Sequence, residues 1–539
     1  MYSYSIENLP AKRPAVWSRV PIQPLAPGAL TPFSFSVLAE IMGRAWYNFY
    51  DRLGFEPQPR ARVLRQHQGR VYQNMTLSAQ LESTHAAVQP PTLLINNQPY
   101  PVADWEKPGF LSGMKFGRVQ RKIDDQIDAL AGELDGITVK AQNWLLKTRE
   151  TRWTQAEILQ VMEEIERVSL NSLMVYLGAR RHTMLGYDTL LNLTQARLSF
   201  PANLAAINSA LCDVDGLVEN DIAAAILAMA DLVKADTATL AWLKQNDLTG
   251  WRDALPNRDL GDALSDFLAQ YGHRCAVEGE IMTPRWASDP TPVLHAVLAC
   301  ATREPKHPAK VPAAQYVDKL LQQVDGSDKK TAEAALQQIR RGLRLQSHAL
   351  HTVAYFLAGT RRWALAAGHE ATTDGRLAHA DDVFFFELEE MKQMMTGEWN
   401  ISAREEIQAR AEARRATFAQ WAQQSPSDLL LGDAAAQSAV AALPGTAGEV
   451  AGPLRRWDEP QPHICNGAVV GVPQLDSGWA VLLPIARGLV TKTGTPLDPV
   501  VAAARHWHTP TVLGLGAAYP DLVDGAQTTI NADRGLVDQ

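Results

Sequence analysis

Hydrophobic positions repeat with helical spacing through the middle of the chain. The segment "TQAEILQVMEEIERV" begins at Thr154 and has Glu157 three residues later, which is the spacing of a capping box. The apolar residues that follow fall on one helical face: Ile158, Val161, Met162, Ile165 and Val168. Similar spacing continues through "DIAAAILAMADLVKADTATLAWL" and "TAEAALQQIRRGLRLQSHALHTVAYFLAG". We therefore predict a mainly helical region over residues 116–422.

Shorter patterns on either side of this region predict other structures. Residues 1–115 are rich in proline and contain strand-like pieces such as "GRVYQNMTL" and "PTLLINNQPY", so they predict an irregular N-terminal part. Residues 423–444 are rich in Ala, Gly, Ser and Pro, which predicts a linker. From 445 to 539, short β-branched runs alternate with short helical runs. This alternation predicts a small C-terminal α/β domain.

Composition and charge narrow the function classes. The 539 residues carry a net charge of −8, with 46% hydrophobic and 20% charged residues, as in an ordinary globular protein with a large core. A mildly acidic chain disfavours nucleic acid as the main partner. The N-terminus has no signal-peptide pattern, and no apolar run is long enough to cross a bilayer. We therefore predict a cytoplasmic, bacterial-type protein with no membrane partner.

The cysteines give no sign of a disulfide framework or a metal site. Cys212, Cys275, Cys300 and Cys465 are widely separated, and the chain has no CxxC or Cys/His cluster with zinc spacing. Isolated buried thiols are the simpler interpretation. No metal and no cofactor is predicted from these patterns.

Four segments near the C-terminus follow one another in a familiar order. They are "GTAGEVAGPLRR", "VVGVPQLDSGWAVLLPIARGLVT", "RHWHTPTVLG" and "LVDGAQTTINADRGLV". Together they resemble the swivelling phosphohistidine domain of the phosphoenolpyruvate (PEP)-utilising enzymes, which include PEP synthase, pyruvate phosphate dikinase and rifampin phosphotransferase. The resemblance implies that residues 445–539 form a small swivelling domain.

The segment "TKTGTPLDP", residues 491–499, stands where this family has its reactive loop, roughly T-E-x-G-G-x-x-S-H-A. In an ungapped alignment Thr491 and Gly494 match, Thr495 replaces the second glycine and Asp498 replaces the serine. Pro499 replaces the histidine that carries the phosphoryl group. Because proline has no nucleophile, the resemblance implies that ordinary phosphocarrier chemistry does not operate at this position. Asp498 is either a catalytic base or ligand, or the cap of a helix that begins at Pro499.

Further motifs of the same group occur in the rest of the chain. "APGALTPFSFSVL", "GRVYQN", "YGHRCAVEGEIMTPRWASDP", "RGLR" and "GRLAHADDVFFFELEEM" resemble, in this order, segments of the substrate-binding region of rifampin phosphotransferase-like proteins. The resemblance implies that residues 1–422 are a substrate-binding region. Relatives of full length carry an ATP-grasp domain before this region, and we expect none here. The ATP site and the histidine are the two ends of the phosphoryl relay. Loss of both would favour a protein that no longer relays phosphoryl groups.

The densest polar cluster of the chain is the block "GHRCAVEGEIMTPRW". Arginine offers a planar fork for carboxylate or phosphate, and a histidine beside glutamates is a plausible acid/base pair. With Asp498, the candidate catalytic residues are His273, Arg274, Glu278 and Glu280. The candidate substrate-binding residues are Arg285, Trp286, Arg341, Arg344, Thr491 and Thr495. The alternative is that the block is a salt-bridged loop that fixes helix packing.

Other polar residues have both a functional and a structural interpretation. His506 and His508 follow Pro499 and could replace the lost carrier, although surface histidines are more common. The pairs Arg180–Arg181 and Arg361–Arg362 could clamp an anionic substrate, although salt-bridged faces are more common for such pairs.

Three hypotheses for function remain open at this point. The first is a repurposed enzyme, for example of specialised metabolism, that binds a small organic metabolite between its helical and swivelling domains and acts without a phosphohistidine. The second is a phosphotransferase that works with a separate ATP-grasp subunit and a substitute carrier. The third is a non-catalytic scaffold or regulator. The expected partners are a small-molecule substrate and, for the first two hypotheses, a separate ATP-grasp or biosynthetic protein.

Overall fold

A computed structural model describes residues 4–95, 98–105, 110–150, 155–303, 313–399, 403–437 and 442–539. Within its helices, side chains are described outside 110–116, 149–150 and 155–168. The predicted capping box at Thr154 and Glu157 lies outside these described residues.

The chain forms two compact units, and each unit combines three stretches of sequence. The first unit comprises Met1–Gly178, Glu278–Met282 and Thr352–Ala439, and the second comprises Ala179–Val277, Thr283–His351 and Val440–Gln539. This division follows packing rather than chain order. The boundaries predicted from composition, at residues 115, 422 and 444, stay predictions.

The described part of the chain is mainly helical. Its α-helices are α1 (Pro32–Arg52), α2 (Met75–Ala86), α3 (Phe110–Glu150), α4 (Gln155–Thr194), α5 (Ala202–Ala210), α6 (Val218–Asp231), α7 (Thr237–Trp242), α8 (Trp251–Ala254), α9 (Arg258–Tyr271), α10 (Thr291–Thr302), α11 (Ala313–Leu321), α12 (Lys329–Thr373), α13 (Leu388–Met395), α14 (Arg404–Gln423) and α15 (Pro499–His506). Among these described helices, none is both long and apolar enough to cross a lipid bilayer.

The strands fall into one sheet in each unit and a separate hairpin. They are β1 (Val16–Ser18), β2 (Leu64–His67), β3 (Arg70–Asn74), β4 (Thr92–Ile95), β5 (Gln98–Pro101), β6 (Leu429–Leu431), β7 (Ala434–Ala436), β8 (Leu443–Thr446), β9 (Glu449–Arg456), β10 (Val469–Val472), β11 (Gly488–Thr491), β12 (Thr511–Leu513), β13 (Gln527–Asn531) and β14 (Leu536–Asp538). Strands β4 and β5 form the hairpin.

The first unit is organised around helix α1 and an antiparallel sheet of order β2-β3-β1-β6-β7. Helix α1 begins because Thr31 is an extended N-cap whose side chain accepts from the backbone N–H of Ser34, with Pro32 at the first helical position. The proline-rich composition of residues 1–115 did not predict this 21-residue helix. Two strands of this sheet, β6 and β7, lie in the segment predicted as a linker.

The second unit contains a mixed sheet of order β14-β13-β9-β10-β11-β12-β8. Strands β9 to β12 are parallel, and β8, β13 and β14 are antiparallel to their neighbours. Alternate residues of β10 enter different cores: Val469 packs in one cluster, whereas Val470 and Val472 pack in the other. A parallel strand buried on both faces is expected to be β-branched throughout, as this one is apart from Gly471.

One of these two cores joins the C-terminal sheet to helices of the same unit. It contains Val470, Leu489 and Leu513 from the sheet, together with helical residues such as Ile222 and Val297. Residues 440–539 therefore share a continuous apolar core with residues 179–351 of their unit. The predicted fold class, a mainly helical chain that ends in an α/β segment, is confirmed at this level.

Candidate functional site

The loop at 491–499 begins at the end of β11, and hydrogen bonds hold its first residue, Thr491. Thr491 is buried, and its hydroxyl accepts a hydrogen bond from the backbone N–H of Gly514 at 3.2 Å. The Thr491 carbonyl oxygen accepts from Leu515 N–H at 3.0 Å. These bonds hold the start of the loop against the turn that follows β12.

Asp498 stands at the N-cap position of α15, but its carboxylate does not cap the helix. The carboxylate instead accepts from the backbone N–H of Thr495 at 3.0 Å and from the Thr495 hydroxyl at 3.1 Å. It also forms a salt bridge with Arg180 at 3.1 Å, and only 4% of the Asp498 side chain is exposed. A carboxylate with these partners is held in one position, which favours a structural role for Asp498.

Pro499 is buried and begins helix α15. The helix was predicted to start near this residue, and that prediction is confirmed. His506 lies at the far end of the helix and is half-buried. Burial and the charge of His508 lower the pKa of His506, which keeps its imidazole neutral near neutral pH.

A buried network of polar side chains contacts the loop at 491–499. The Asn208 side chain accepts from the Tyr187 hydroxyl at 2.7 Å and donates to the Pro444 carbonyl oxygen at 2.8 Å. Arg505 is buried, and it donates to the Pro496 carbonyl oxygen at 3.1 Å. Burial raises the pKa of Tyr187, so its hydroxyl remains a donor. The sequence did not single out these residues.

Two of the predicted catalytic residues meet in a buried His/Arg cluster. The ring centroids of His273 and His351 are 4.6 Å apart, and His273 Nε2 lies 3.2 Å from the His351 carbonyl oxygen. Arg274 Nη1 lies 3.2 Å from His351 Nδ1. Because a guanidinium can only donate, Nδ1 of His351 accepts and its proton lies on Nε2. His351 belongs to this cluster although the sequence did not predict it.

Arg285 and Trp286 are both buried in the same unit. Arg285 is buried and donates to the thiol sulfur of Cys275. The Trp286 ring packs against Phe267, with the ring centroids 5.9 Å apart, inside the large core. All four cysteines are buried, and none of them forms a disulfide bond. The surroundings of Trp286 favour a packing role.

The two glutamates of the block belong to the first unit, and both are buried. The Glu280 carboxylate accepts from the Thr31 N–H at 2.7 Å, the Thr31 hydroxyl at 3.0 Å, the Ser34 hydroxyl at 2.7 Å and the Met282 N–H at 2.9 Å. Burial raises the pKa of Glu280, while these hydrogen bonds oppose the shift. Glu280 therefore fastens its segment to the start of α1, which favours the structural alternative for this residue.

Arg341 and Arg344 lie on α12. Arg344 is partly exposed and pairs with Asp215 at 2.9 Å, and the neighbouring Arg340 pairs with Asp213 at 3.0 Å. Arg341 is half-buried. These ion pairs join α12 to the turn before α6, which contains Asp213 and Asp215. The two aspartates therefore have a packing role in this structure.

Residues 476–479, with the sequence Asp-Ser-Gly-Trp, form a turn that is held by hydrogen bonds to other segments of the second unit. The sequence did not predict these bonds. The Asp476 carboxylate accepts from the backbone N–H of Val277. The Ser477 hydroxyl donates to Glu219, which also accepts from the Ser347 hydroxyl at 2.6 Å. Within the described part of the chain, no three His, Cys, Asp or Glu side chains come together as a metal site.

Comparison with known proteins gives two family matches. Residues 179–346 match the rifampicin phosphotransferase fourth domain, and residues 464–535 match the PEP-utilising enzyme mobile domain. The chain is similar to rifampicin phosphotransferases of Bacillus subtilis (20% identity over 352 residues), Streptomyces sviceus (21% over 351) and Bacillus cereus (19% over 343).

The chain is related to the PEP-utilising enzyme superfamily. Each of these alignments covers 60% of the chain and 40% of the relative, so the chain spans about two fifths of the length of the relatives it matches.

The two superfamily matches lie in one compact unit and meet at named contacts. Arg180 belongs to the fourth-domain match and Asp498 to the mobile-domain match, and they form the buried salt bridge described above. Glu219 and Ser477 join the same two regions. The catalytic and substrate-binding roles of the predicted residues remain predictions.

The His273–His351 pair makes stability depend on pH. Burial lowers the pKa of both imidazoles well below the ordinary value of 6.5. Below pH 6.5 the unfolded chain binds protons that the folded chain does not, so stability should fall as the pH drops. Each histidine contributes up to about 1.4 kcal/mol per pH unit. Replacing His351 with Asn should flatten this fall by up to that amount, as measured by urea unfolding between pH 5 and 7.5.

The control for this prediction is His369→Asn, which changes an exposed histidine of α12. It should leave the pH dependence of unfolding as in the unmodified chain. Equal pH dependence in the His351 and His369 variants would show that the buried pair does not titrate on unfolding.

Proposed function

We propose that this chain is a repurposed member of the PEP-utilising enzyme superfamily that acts without a phosphohistidine. It binds a small organic metabolite between residues 179–351 and residues 440–539 of the second unit. In this proposal the loop at 491–499 covers the site, and the buried His/Arg cluster supplies its polar groups.

The observation that carries this proposal is the burial and bonding of the residues at the end of the loop at 491–499. The position that resembles the phosphorylated histidine is Pro499, which is buried at the start of a helix. The preceding residue, Asp498, is fully engaged with Thr495 and Arg180. A phosphocarrier residue must reach solvent and change partners, and neither residue at the loop end is placed to do so.

The chemistry of the ligand follows from the buried His/Arg cluster. Arg274, Arg285, His273 and His351 are concentrated in one unit, and two of them carry a permanent positive charge. A buried cationic cluster attracts negative charge. This supports an organic anion as the metabolite, with neutral His273 as the candidate general base.

Phosphoryl transfer is the decisive test of the proposal. The purified chain is incubated with ATP, and separately with PEP, each with Mg²⁺, and its intact mass is measured at neutral to alkaline pH, where phosphohistidine survives. We expect the mass to remain unchanged. The rifampicin phosphotransferase of Bacillus subtilis, treated in parallel, serves as the positive control.

A gain of one phosphoryl group would contradict the proposal and favour the second candidate function, a phosphotransferase with a substitute carrier. One observation supports that candidate. His506 lies on the helix that Pro499 begins, is half-buried, and has a lowered pKa that keeps a nucleophilic nitrogen free. If the added mass disappears in His506→Gln and persists in His508→Gln, His506 is the carrier.

A further inference from the structure

A half-open cavity of about 360 Å³ lies in the first unit beside strand β2. Phe35 of α1 contributes an apolar part of its lining, and the polar lining residues are Glu7, Arg62, Arg65, Gln66, His67 and Asp433. Three nitrogen-rich side chains and one aromatic ring around a single cavity are a typical arrangement for recognition of a small polar ligand.

The N-terminal segment builds one side of this cavity. Ser5 N–H donates to the Arg60 carbonyl oxygen at 2.8 Å, and Arg62 N–H donates to the Ile6 carbonyl oxygen at 3.1 Å. This pairing places Glu7 beside Arg62, whose Nε donates to the Glu7 carboxylate at 2.6 Å. Both side chains are partly exposed, so the pair is weak. The two Nη atoms of Arg62 have no hydrogen-bond partner among the described residues.

Arg65 is a further lining residue. Its guanidinium lies over the Trp17 ring, 4.4 Å from the centroid, and Nη1 donates to Asp433 at 3.0 Å. The Asp433 side chain is 99% exposed. The Nε atom of Arg65 is buried and has no hydrogen-bond partner within the described part of the chain. Nη2 donates to the Gly432 carbonyl oxygen. Arg65 is thus fixed in place by an aromatic ring, a backbone carbonyl and an exposed carboxylate.

His67 and Gln66 complete the polar lining. The Gln66 amide donates to the Leu30 carbonyl oxygen at 2.9 Å, which fixes that side chain. His67 meets Tyr72 edge to face, with ring centroids 6.1 Å apart. In the described residues the ring nitrogens of His67 form no hydrogen bond, so they add to the unused polar atoms at this cavity.

We propose that this cavity binds a small organic acid through its oxyanion, either a carboxylate or a phosphate group. Arg62 supplies a planar pair of donors, which matches the geometry of an oxyanion, and Arg65 adds a second permanent positive charge. Glu7 and Asp433 hold the two guanidinium groups in the absence of the acid, and an incoming oxyanion competes with them. Phe35 packs against the organic part of the ligand. The site rests on residues of the first unit alone and is independent of the function proposed above.

The test is a calorimetric titration of the full chain with succinate and with inorganic phosphate, at a constant ionic strength set by chloride. We expect saturable binding of at least one of them, and the anion that binds identifies the preferred oxyanion. Arg62→Met should weaken that binding about tenfold, because a charged donor pair is lost. Arg60→Met is the matched control. Arg60 pairs with Asp51 at 3.2 Å outside the cavity lining, so its removal should leave the affinity unchanged.

Glu7→Gln separates a binding site from a merely structural cluster. The substitution removes the carboxylate that competes for Arg62, so affinity for the anion should rise about threefold. Loss of a structural ion pair would not strengthen binding. The proposal is overturned if neither anion binds saturably, if Arg60→Met and Arg62→Met weaken binding equally, or if Glu7→Gln lowers the affinity.

Discussion

Replacing Arg180 with methionine should lower the free energy of unfolding by about 3 kcal/mol, because it leaves the Asp498 carboxylate buried without its cation. The two side chains are only 12% and 4% exposed, and their atoms are 3.1 Å apart. Thr495 alone would then stabilise the charge, through one N–H and one hydroxyl. Urea unfolding of the variant and the unmodified chain measures the difference.

Two further variants isolate the buried charge as the cause. Arg180→Met combined with Asp498→Asn removes both charges and should recover most of the lost stability. Lys234→Met breaks an exposed ion pair of the same unit, Lys234 with Asp231 at 2.6 Å, and should cost less than about 1 kcal/mol. If Arg180→Met costs no more than Lys234→Met, the bridge does not stabilise the loop.

The sequence predicts the local part of this loop but not its partners. An aspartate before a proline and an apolar run correctly predicts where α15 begins. The carboxylate nevertheless binds Arg180, which is 318 residues away. The pair Arg180–Arg181 had both an anion-clamp and a salt-bridge interpretation, and the structure has Arg180 in a salt bridge. Local capping patterns carry no information about a contact of such long range.

The central block shows the same limit. Its residue types predict a dense polar cluster, yet two of its side chains have partners from outside the block: Glu280 binds Thr31 and Ser34, and His273 contacts His351. The spacing within the block cannot distinguish a glutamate that fastens a helix from one that moves a proton. Burial and hydrogen-bond partners distinguish these two roles, so only the structure could favour the structural alternative for Glu280.

The C-terminal fold is more predictable, because its central strands β10 and β11 are short apolar runs that are buried on both faces. The resemblance implies a swivelling domain, and the sequence matches a mobile-domain family over residues 464–535. The sequence pattern does not predict the apolar core that these strands share with helices of residues 179–351. The hydrogen bonds of Asp476 and Ser477 and the close backbone approach at Gly478 accompany this core, and a hydrophobic pattern does not predict them.

Replacing Gly478 with alanine should lower the free energy of unfolding by about 3 kcal/mol, because the new methyl group has no room. An added Cβ would lie 2.3 Å from the Cys275 carbonyl oxygen and 2.4 Å from the Ala276 nitrogen, and both of these are backbone atoms. The turn would have to move away, which would break the bonds from Asp476 to Val277 and from Ser477 to Glu219. Urea unfolding measures the loss.

Hydrogen exchange locates the damage from this substitution. Amides of β10 and β11 should exchange faster in Gly478→Ala, because the core between the C-terminal sheet and its helices opens more often. Gly250→Ala is the matched control: Gly250 lies in the same unit with φ −78°, and an added Cβ would meet nothing within 4 Å. It should change stability by less than about 0.5 kcal/mol. Equal stabilities for the two variants would mean that the turn at 476–479 is not tightly packed against residues 275–277, and that the C-terminal segment is free to move as it is expected to do in a swivelling domain.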